Sequence, residues 1–244
     1  MARRLLRGVV ALDGPSGTGK STVARQLAGA VGARYLDTGA MYRSVTLAVL
    51  RSGVDPSDSG LVAEVAESVG SRGALVMGTD PEAPGVLLDG DDVAGEIREQ
   101  KITGVVSAVA SVPTVRTVLI GRQRRIIADA RVDGVGIVVE GRDIGSVVAP
   151  DAELKIFLTA SAEVRARRRS RQDSAAGRRT TVGGTRSDVD RRDNLDNRTT
   201  PLVPASGAVE LDTSDLDVAG VVQRLLTLAE DRGMLAREAV AGER

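Results

Sequence analysis

Val9-Val10-Ala11-Leu12-Asp13-Gly14-Pro15-Ser16-Gly17-Thr18-Gly19-Lys20-Ser21-Thr22 sets an apolar run, a glycine-rich turn and the start of a helix in succession. Val9–Leu12 is a short apolar run, as a fully buried strand shows. Gly14–Gly19 is a glycine-rich turn. Ser21–Val31 then sets Val23, Leu27, Ala30 and Val31 at helical spacing. From Gly14 to Ser21 the chain fits G-x-x-x-x-G-K-[ST] at every fixed position. Such a loop turns backbone N–H groups inward around a phosphate, and the helix that follows adds its positive end. Lys20 would reach the β- and γ-phosphates, and the Ser21 hydroxyl would ligate Mg²⁺. A plain turn joining strand to helix is the rival reading. The strand before and the helix after are the context that favours the phosphate loop. So does the rarity of lysine: the chain has three (Lys20, Lys101, Lys155) against thirty arginines.

Outward from that loop, strands and helices alternate. Met41–Leu50 and Leu61–Val69 read as helices. Ala74–Met77 and Val86–Leu88 are short β-like runs around Gly78-Thr79-Asp80-Pro81-Glu82-Ala83-Pro84-Gly85, a small antiparallel hairpin. Lys101–Ala110 and Thr114–Ala130 read as helices, with Pro113 suited to a first helical position. Gly136–Val139 and Leu154–Leu158 are strands. Ser161–Gln172 is an arginine-loaded helix with Ser161 as its cap and Glu163 in its first turn. Ala175–Thr185 is a loose Gly/Thr/Arg stretch. Val209–Leu211 is a last strand and Val218–Leu235 a closing amphipathic helix. The pattern predicts an α/β protein, a parallel sheet with helices on both faces.

Composition removes whole classes of chemistry. The 244 residues carry 42% hydrophobic side chains, enough for a sizeable core. Lys plus Arg and Asp plus Glu both number 33, so no overall basic excess invites nucleic acid or an anionic membrane. There is no cysteine and no histidine, which excludes thiolate and imidazole catalysis and the metal sites built on them. Three aromatic residues (Tyr35, Tyr42, Phe157) are too few for base-stacking platforms. The apolar run after Arg3, Arg4 and Arg7 is cut off by Asp13 and Gly14, too short for a secretory signal. The expectation is a cytoplasmic protein with no membrane span.

Two further motifs sit where ligands bind. Tyr35-Leu36-Asp37-Thr38-Gly39-Ala40-Met41-Tyr42-Arg43 puts Thr38 and Arg43 near a helix start, either an anion site or a turn capped by Asp37 or Thr38. Gly136-Ile137-Val138-Val139-Glu140-Gly141-Arg142-Asp143-Ile144-Gly145 delivers three charges at a strand's carboxyl end, where open α/β sheets bind ligands. Solvated strand-end charges are the alternative. A guanine-nucleotide switch would need Asn-Lys-x-Asp, and neither Asn194 nor Asn197 lies in such a stretch. A small phosphate-loop kinase needs acceptor-binding arginines, and these are present.

Together these words resemble bacterial cytidylate kinases. The likeness rests on Asp13–Thr22, Leu36-Asp37-Thr38-Gly39-Ala40-Met41-Tyr42-Arg43, Gly95-Glu96-Ile97-Arg98, Glu140–Gly145, Pro150-Asp151-Ala152 and Pro201-Leu202-Val203-Pro204-Ala205, and spans about residues 8 to 229. It implies a single P-loop kinase domain over 1–244. The core would be about 8–40, 101–160 and 205–235. An NMP-binding region with the β-insertion would occupy about 40–100, and a mobile arginine-rich lid about 161–200. It implies transfer of the γ-phosphoryl of ATP to CMP or dCMP with Mg²⁺, by a monomer that binds no nucleic acid. The alternatives are a kinase for UMP, AMP or a small metabolite, or a nucleic-acid-associated NTPase.

The resemblance also assigns residues. Lys20, Arg142, Arg192 and Arg198 would be catalytic. Gly14, Pro15, Ser16, Gly17, Thr18, Gly19, Lys20, Ser21, Thr22 and Arg165 would hold ATP. Thr38, Arg43 and Arg142 would hold the CMP phosphate, Ser107, Arg116 and Asp143 the cytosine, Arg192 and Asp196 the ribose. Arg198 is the candidate for the last phosphate-binding arginine. Ser21 would contact Mg²⁺ directly, with Asp13 and Glu140 orienting its waters or else serving turn and strand-end hydrogen bonds. The family spaces one region Arg-Asp-x-x-Asp-x-x-Arg-x-x-x-Pro-Leu. Here Arg192-Asp193-Asn194-Leu195-Asp196-Asn197-Arg198-Thr199-Thr200-Pro201-Leu202 is shorter by two.

Overall fold

The computed structural model describes residues 4–175, 197 and 201–237, without the side chains of 172–175 and 237. The chain divides into two compact units. The first joins residues 1–35 to 130–244; the second is Leu36–Asp129.

The first unit is built on β2 (Val9–Asp13), which follows a short β1 (Arg4–Leu6). All five β2 side chains are buried, so the apolar run of the sequence is a strand covered on both faces. It sits at the centre of a five-stranded sheet that also holds β3 (Arg34–Asp37), β7 (Ile137–Glu140), β8 (Leu154–Thr159) and β9 (Val209–Asp212), in the order β3-β7-β2-β8-β9. β2 runs parallel to β7 with Val10 opposite Val138, and to β8 with Leu12 opposite Ile156. β9 extends the sheet in parallel, Leu158 facing Leu211. Parallel pairing brings the carboxyl ends of β2, β7, β8 and β9 to one edge.

Helix α1 (Lys20–Ala30) buries Val23, Ala24, Leu27 and Ala28 in a core with Val10, Leu12, Val138, Ile156 and Leu158. Helix α7 (Val218–Asp231), capped by Asp217 through the Gly220 amide, adds Val221, Leu225 and Ala229. Helix α6 (Ala162–Ala175) leaves the end of β8. Ser161 Oγ accepts from the Val164 amide at 3.3 Å, the cap expected from sequence.

Two features depart from the sequence reading. The closing helix ends at Asp231, not at Leu235. Met234 donates back to the Ala229 carbonyl, and Leu235–Arg237 form a strand, β10. It pairs antiparallel with β1, Leu6 opposite Leu235. The arginine-flanked start of the chain is thus a sheet edge, with Leu6 2% exposed.

The second unit is helical around a small sheet. Helices α2 (Thr38–Arg51), α3 (Ser59–Ser71), α4 (Gln100–Ser111) and α5 (Pro113–Val132, whose last residues fall in the first unit) take the places read from the sequence. The expected hairpin of β4 (Leu75–Met77) and β5 (Val86–Leu88) gains a third strand, β6 (Asp91–Asp92). A 3₁₀ turn, Glu96–Arg98, precedes α4. α2 packs on α3 and α4. Among the described residues no single helix is long and apolar enough to cross a membrane.

The core of the first unit makes a specific demand. Leu27→Ala empties a fully buried site between α1 and the sheet and should lower stability by about 3 kcal/mol in urea denaturation. Val203→Ala, on a residue 63% exposed, should stay within about 0.5 kcal/mol.

Candidate functional site

The loop between β2 and α1 is shaped by what crowds it. Gly14 sits at φ 145°, where a Cβ would come 2.2 Å from the Leu158 carbonyl oxygen of the neighbouring β8. No other residue type fits there. Lys20 opens α1, and its ammonium donates to the carbonyls of Gly14 at 2.8 Å and Pro15 at 2.7 Å. Thr18 Oγ1 also donates to the Pro15 carbonyl. The predicted strand, loop and helix are thus present, with the lysine over the loop.

Beside the loop, the end of β7 brings Glu140. Ser21 Oγ donates to Glu140 Oε2 at 2.9 Å, and the Tyr35 hydroxyl donates to Oε1 at 2.5 Å. Glu140 is 4% exposed and Tyr35 2%. Ser21 and Glu140, 119 residues apart in sequence, are thereby brought together. No cluster of three or more His, Cys, Asp or Glu suited to a metal occurs among the described residues. A hydroxyl backed by one carboxylate beside a phosphate loop still fits Mg²⁺, which keeps several waters and takes phosphate oxygens.

Asp13 ends β2 and is used differently. Oδ1 accepts from the Ile144 amide and Oδ2 from the Gly145 amide, both at 2.8 Å. These amides open the single π-helical turn Ile144–Val148 that follows Glu140–Asp143. Asp13 therefore fixes the segment carrying Arg142 and Asp143. Burial raises its pKa to about 6, against the pull of the two amides, with a smaller push from Asp143 and a smaller pull from Lys20. Arg142 Nη1 reaches the Gly14 carbonyl at 3.4 Å.

Helix α6 meets the loop from another side. Arg165 Nη1 donates to the Ser16 carbonyl at 3.2 Å. Arg168 donates to the carbonyls of Thr18, Thr213 and Leu216 and to Thr213 Oγ1. Burial pushes the Arg168 guanidinium below its ordinary value. Arg168 falls within the expected lid, about 161–200, and the sequence assigns Thr213 and Tyr35 no role. Tyr35 adjoins a recognised motif and Thr213 follows a strand's carboxyl end; those positions are the only signal the sequence offers.

In the second unit, Asp37 caps α2, its Oδ1 accepting from the Ala40 amide at 2.9 Å, so Thr38 is the first helical residue and not the cap. Thr38 is buried. Arg43 Nη1 donates to the Ile97 carbonyl and to Thr103 Oγ1, each at 3.0 Å. Thr103, unnoticed in the sequence, thus ties Arg43 to α4, the helix that carries Ser107. Arg116 lies in α5. Arg98, from the Gly-Glu-Ile-Arg word, pairs with Asp37 at 3.4 Å. Arg192, Asp196 and Arg198, and much of the expected lid, lie outside the described residues.

A family model and curated relatives point to one family. A family model described as cytidylate kinase matches residues 10–231. A cytidylate kinase of Mycolicibacterium paratuberculosis is 53% identical over 94% of this chain and 98% of its own length. One from Rhodococcus opacus is 52% identical over 92% of this chain and 95% of its own. One from Streptomyces avermitilis is 46% identical over 95% and 96%.

The buried Asp13 sets a pH dependence. The unfolded carboxyl loses its proton near 3.8 while the folded one holds it to about 6. In that window the folded state binds more protons, so this group's contribution falls as pH rises. Wild-type stability relative to Asp13→Asn, from denaturation curves across pH, should drop by up to about 3 kcal/mol over the window and stay level above it. A rise instead would mean that the two amides outweigh desolvation.

Proposed function

The chain belongs to the cytidylate kinase family and is an ATP-dependent kinase acting on CMP and dCMP, and from that premise we propose how its residues share the reaction. The observation that carries the reading is the phosphate loop at the carboxyl end of the central strand, with Lys20 over it and Ser21 on Glu140. ATP would lie on Gly14–Thr22, its phosphates met by loop amides and by the first turn of α1. Arg165 would add a donor from α6. Ser21 would hold Mg²⁺ and Glu140 would orient its waters; bound there, the ion would offset phosphate charge. Asp13 serves the reading indirectly, by fixing the turn after Asp143.

For the acceptor, Thr38, Arg43 and Arg142 would hold the CMP phosphate, and Ser107, Arg116 and Asp143 the base. Arg192 and Asp196 are assigned to the ribose and Arg198 to the phosphate. A nucleoside monophosphate oxygen is already an anionic nucleophile, so the absence of histidine costs nothing. The remaining tasks are to place two polyanions in line and to stabilise the transferring charge, which Lys20 and the arginines suit. The reading takes the enzyme as a monomer. The reading also keeps a cytoplasmic enzyme whose expected lid, about 161–200, would act beyond the turn of α6 that Arg165 and Arg168 fix on the loop.

Base choice follows from hydrogen-bond polarity. Cytosine presents an amino donor where uracil presents a carbonyl, so the Asp143 carboxylate accepts from one and repels the other.

An ADP-release assay across nucleoside monophosphates should rank CMP and dCMP above UMP and AMP; equal rates on all would overturn the assignment of the acceptor site. Lys20→Met should lower kcat by about 100-fold or more. Asp143→Asn should bring the CMP and UMP rates together, and an unchanged ratio would remove Asp143 from the base site.

A further inference from the structure

Three residues of the first unit grip the phosphate loop by its carbonyl groups. Arg165 and Arg168 are three apart on α6, hence on one face of the helix. Arg165 Nη1 donates to the Ser16 carbonyl at 3.2 Å, and Arg168 Nη1 to the Thr18 carbonyl at 3.2 Å. Thr213 Oγ1 lies 3.3 Å from the same Thr18 oxygen and 2.9 Å from the Thr159 carbonyl. Thr213 is 1% exposed and receives Arg168 Nη1 on its hydroxyl at 2.9 Å and Nη2 on its carbonyl at 2.6 Å. The second guanidinium nitrogen also reaches the Leu216 carbonyl at 3.2 Å. One planar cation thus ties the loop to the segment between β9 and α7.

The peptide bond turns this grip into aim. It is planar, and in the trans form its C=O and N–H point in opposite directions. The described residues contain no cis peptide. Fixing the Ser16 carbonyl therefore fixes the direction of the Gly17 N–H, and fixing the Thr18 carbonyl fixes that of the Gly19 N–H. Both amides belong to the loop that binds phosphate through its N–H groups. α6 also lies against the loop itself: a Cβ on Gly17 would come 2.9 Å from the Arg165 carbonyl oxygen.

We propose that Arg168 and Thr213 are positioning residues of the donor site, holding the Thr18–Gly19 peptide so that its N–H meets a donor phosphate. The proposal deepens the kinase reading by naming what orients the loop; neither residue need touch the nucleotide. It separates donor from acceptor effects, since the grip joins the loop to the segment after β9 and touches no residue assigned to CMP.

The test is calorimetric titration of ADP, and separately of CMP, into the full-length protein. Thr213→Val keeps the shape and removes the hydroxyl. It should weaken ADP at least tenfold, raise KM for ATP and leave CMP affinity unchanged. Thr213→Ser, which restores the hydroxyl, should recover ADP binding. Arg168→Lys keeps charge and stem but loses the fork, and should weaken ADP at least threefold; it decides the question if Thr213→Val does not fold. A lower melting temperature with ADP affinity within twofold of wild type would make the cluster a structural clamp only and overturn the proposal. Because ADP binding is read without an acceptor, a failure of the CMP assignment would appear in the rate panel and not here.

Discussion

A loop that turns its amides toward a phosphate must turn carbonyls the other way, and every one of those carbonyls needs a donor. The rest of the first unit answers that constraint. Lys20 covers the Gly14 and Pro15 oxygens. Thr18 turns its own hydroxyl back to Pro15, and Arg165 takes Ser16. Arg168 and Thr213 share Thr18. These donors come from α1, α6 and the turn after β9, so the loop is held by groups distant in sequence. Unpaired, the carbonyls among these that are buried, as at Gly14 and Thr18, would each cost about 1–3 kcal/mol.

The same edge of the sheet carries buried carboxylates, and neutral donors surround them. Asp13 rests on two amides of the turn after Asp143, Glu140 on the hydroxyls of Ser21 and Tyr35. A buried carboxylate is tolerable only when it is hydrogen-bonded. The bonds chosen also do positional work, each joining the end of one strand to the segment following another. Asp13 links β2 to the turn beyond β7, and Glu140 links β7 to the first turn of α1 and to β3. These two side chains tie the phosphate loop and the Arg142 segment to strand ends whose register the parallel ladders set.

Much of this fold can be read from local patterns. Val9–Leu12 and Ile137–Val139 are apolar runs long enough to be buried strands, and the apolar spacing of α1 to α5 is regular. What escapes is non-local. β1 and β10 are three residues each and gain strand character only by pairing with one another across the chain. Leu235 lies seven residues beyond Leu228 and so continues the apolar period of α7, which is why the helix looks longer than it is. β6 is two aspartates, chosen by its partner β5 and not by propensity. In the candidate site the motif words locate Lys20, Glu140, Arg142 and Asp143. Tyr35, Thr103 and Thr213 stay hidden, because a hydroxyl becomes meaningful only through the group that it meets.

The chain's bias toward arginine has a physical counterpart in α6. A helix with five arginines between residues 165 and 171 reads, by charge alone, as a phosphate-facing or solvated surface. Arg168 does neither of these things in the structure: its donors span acceptors on Thr18, Thr213 and Leu216 at 2.6 to 3.2 Å. Only a planar, five-donor cation can hold several oxygens in fixed directions at once. Lysine, a compact point charge on a flexible stem, stands at Lys20, where it caps the Gly14 and Pro15 carbonyls and in the kinase reading would turn to phosphate. The two cations are therefore divided by geometry. Arginine holds several loop and strand-end oxygens in fixed directions, while a lysine on a flexible stem is able to leave its two carbonyls for a ligand.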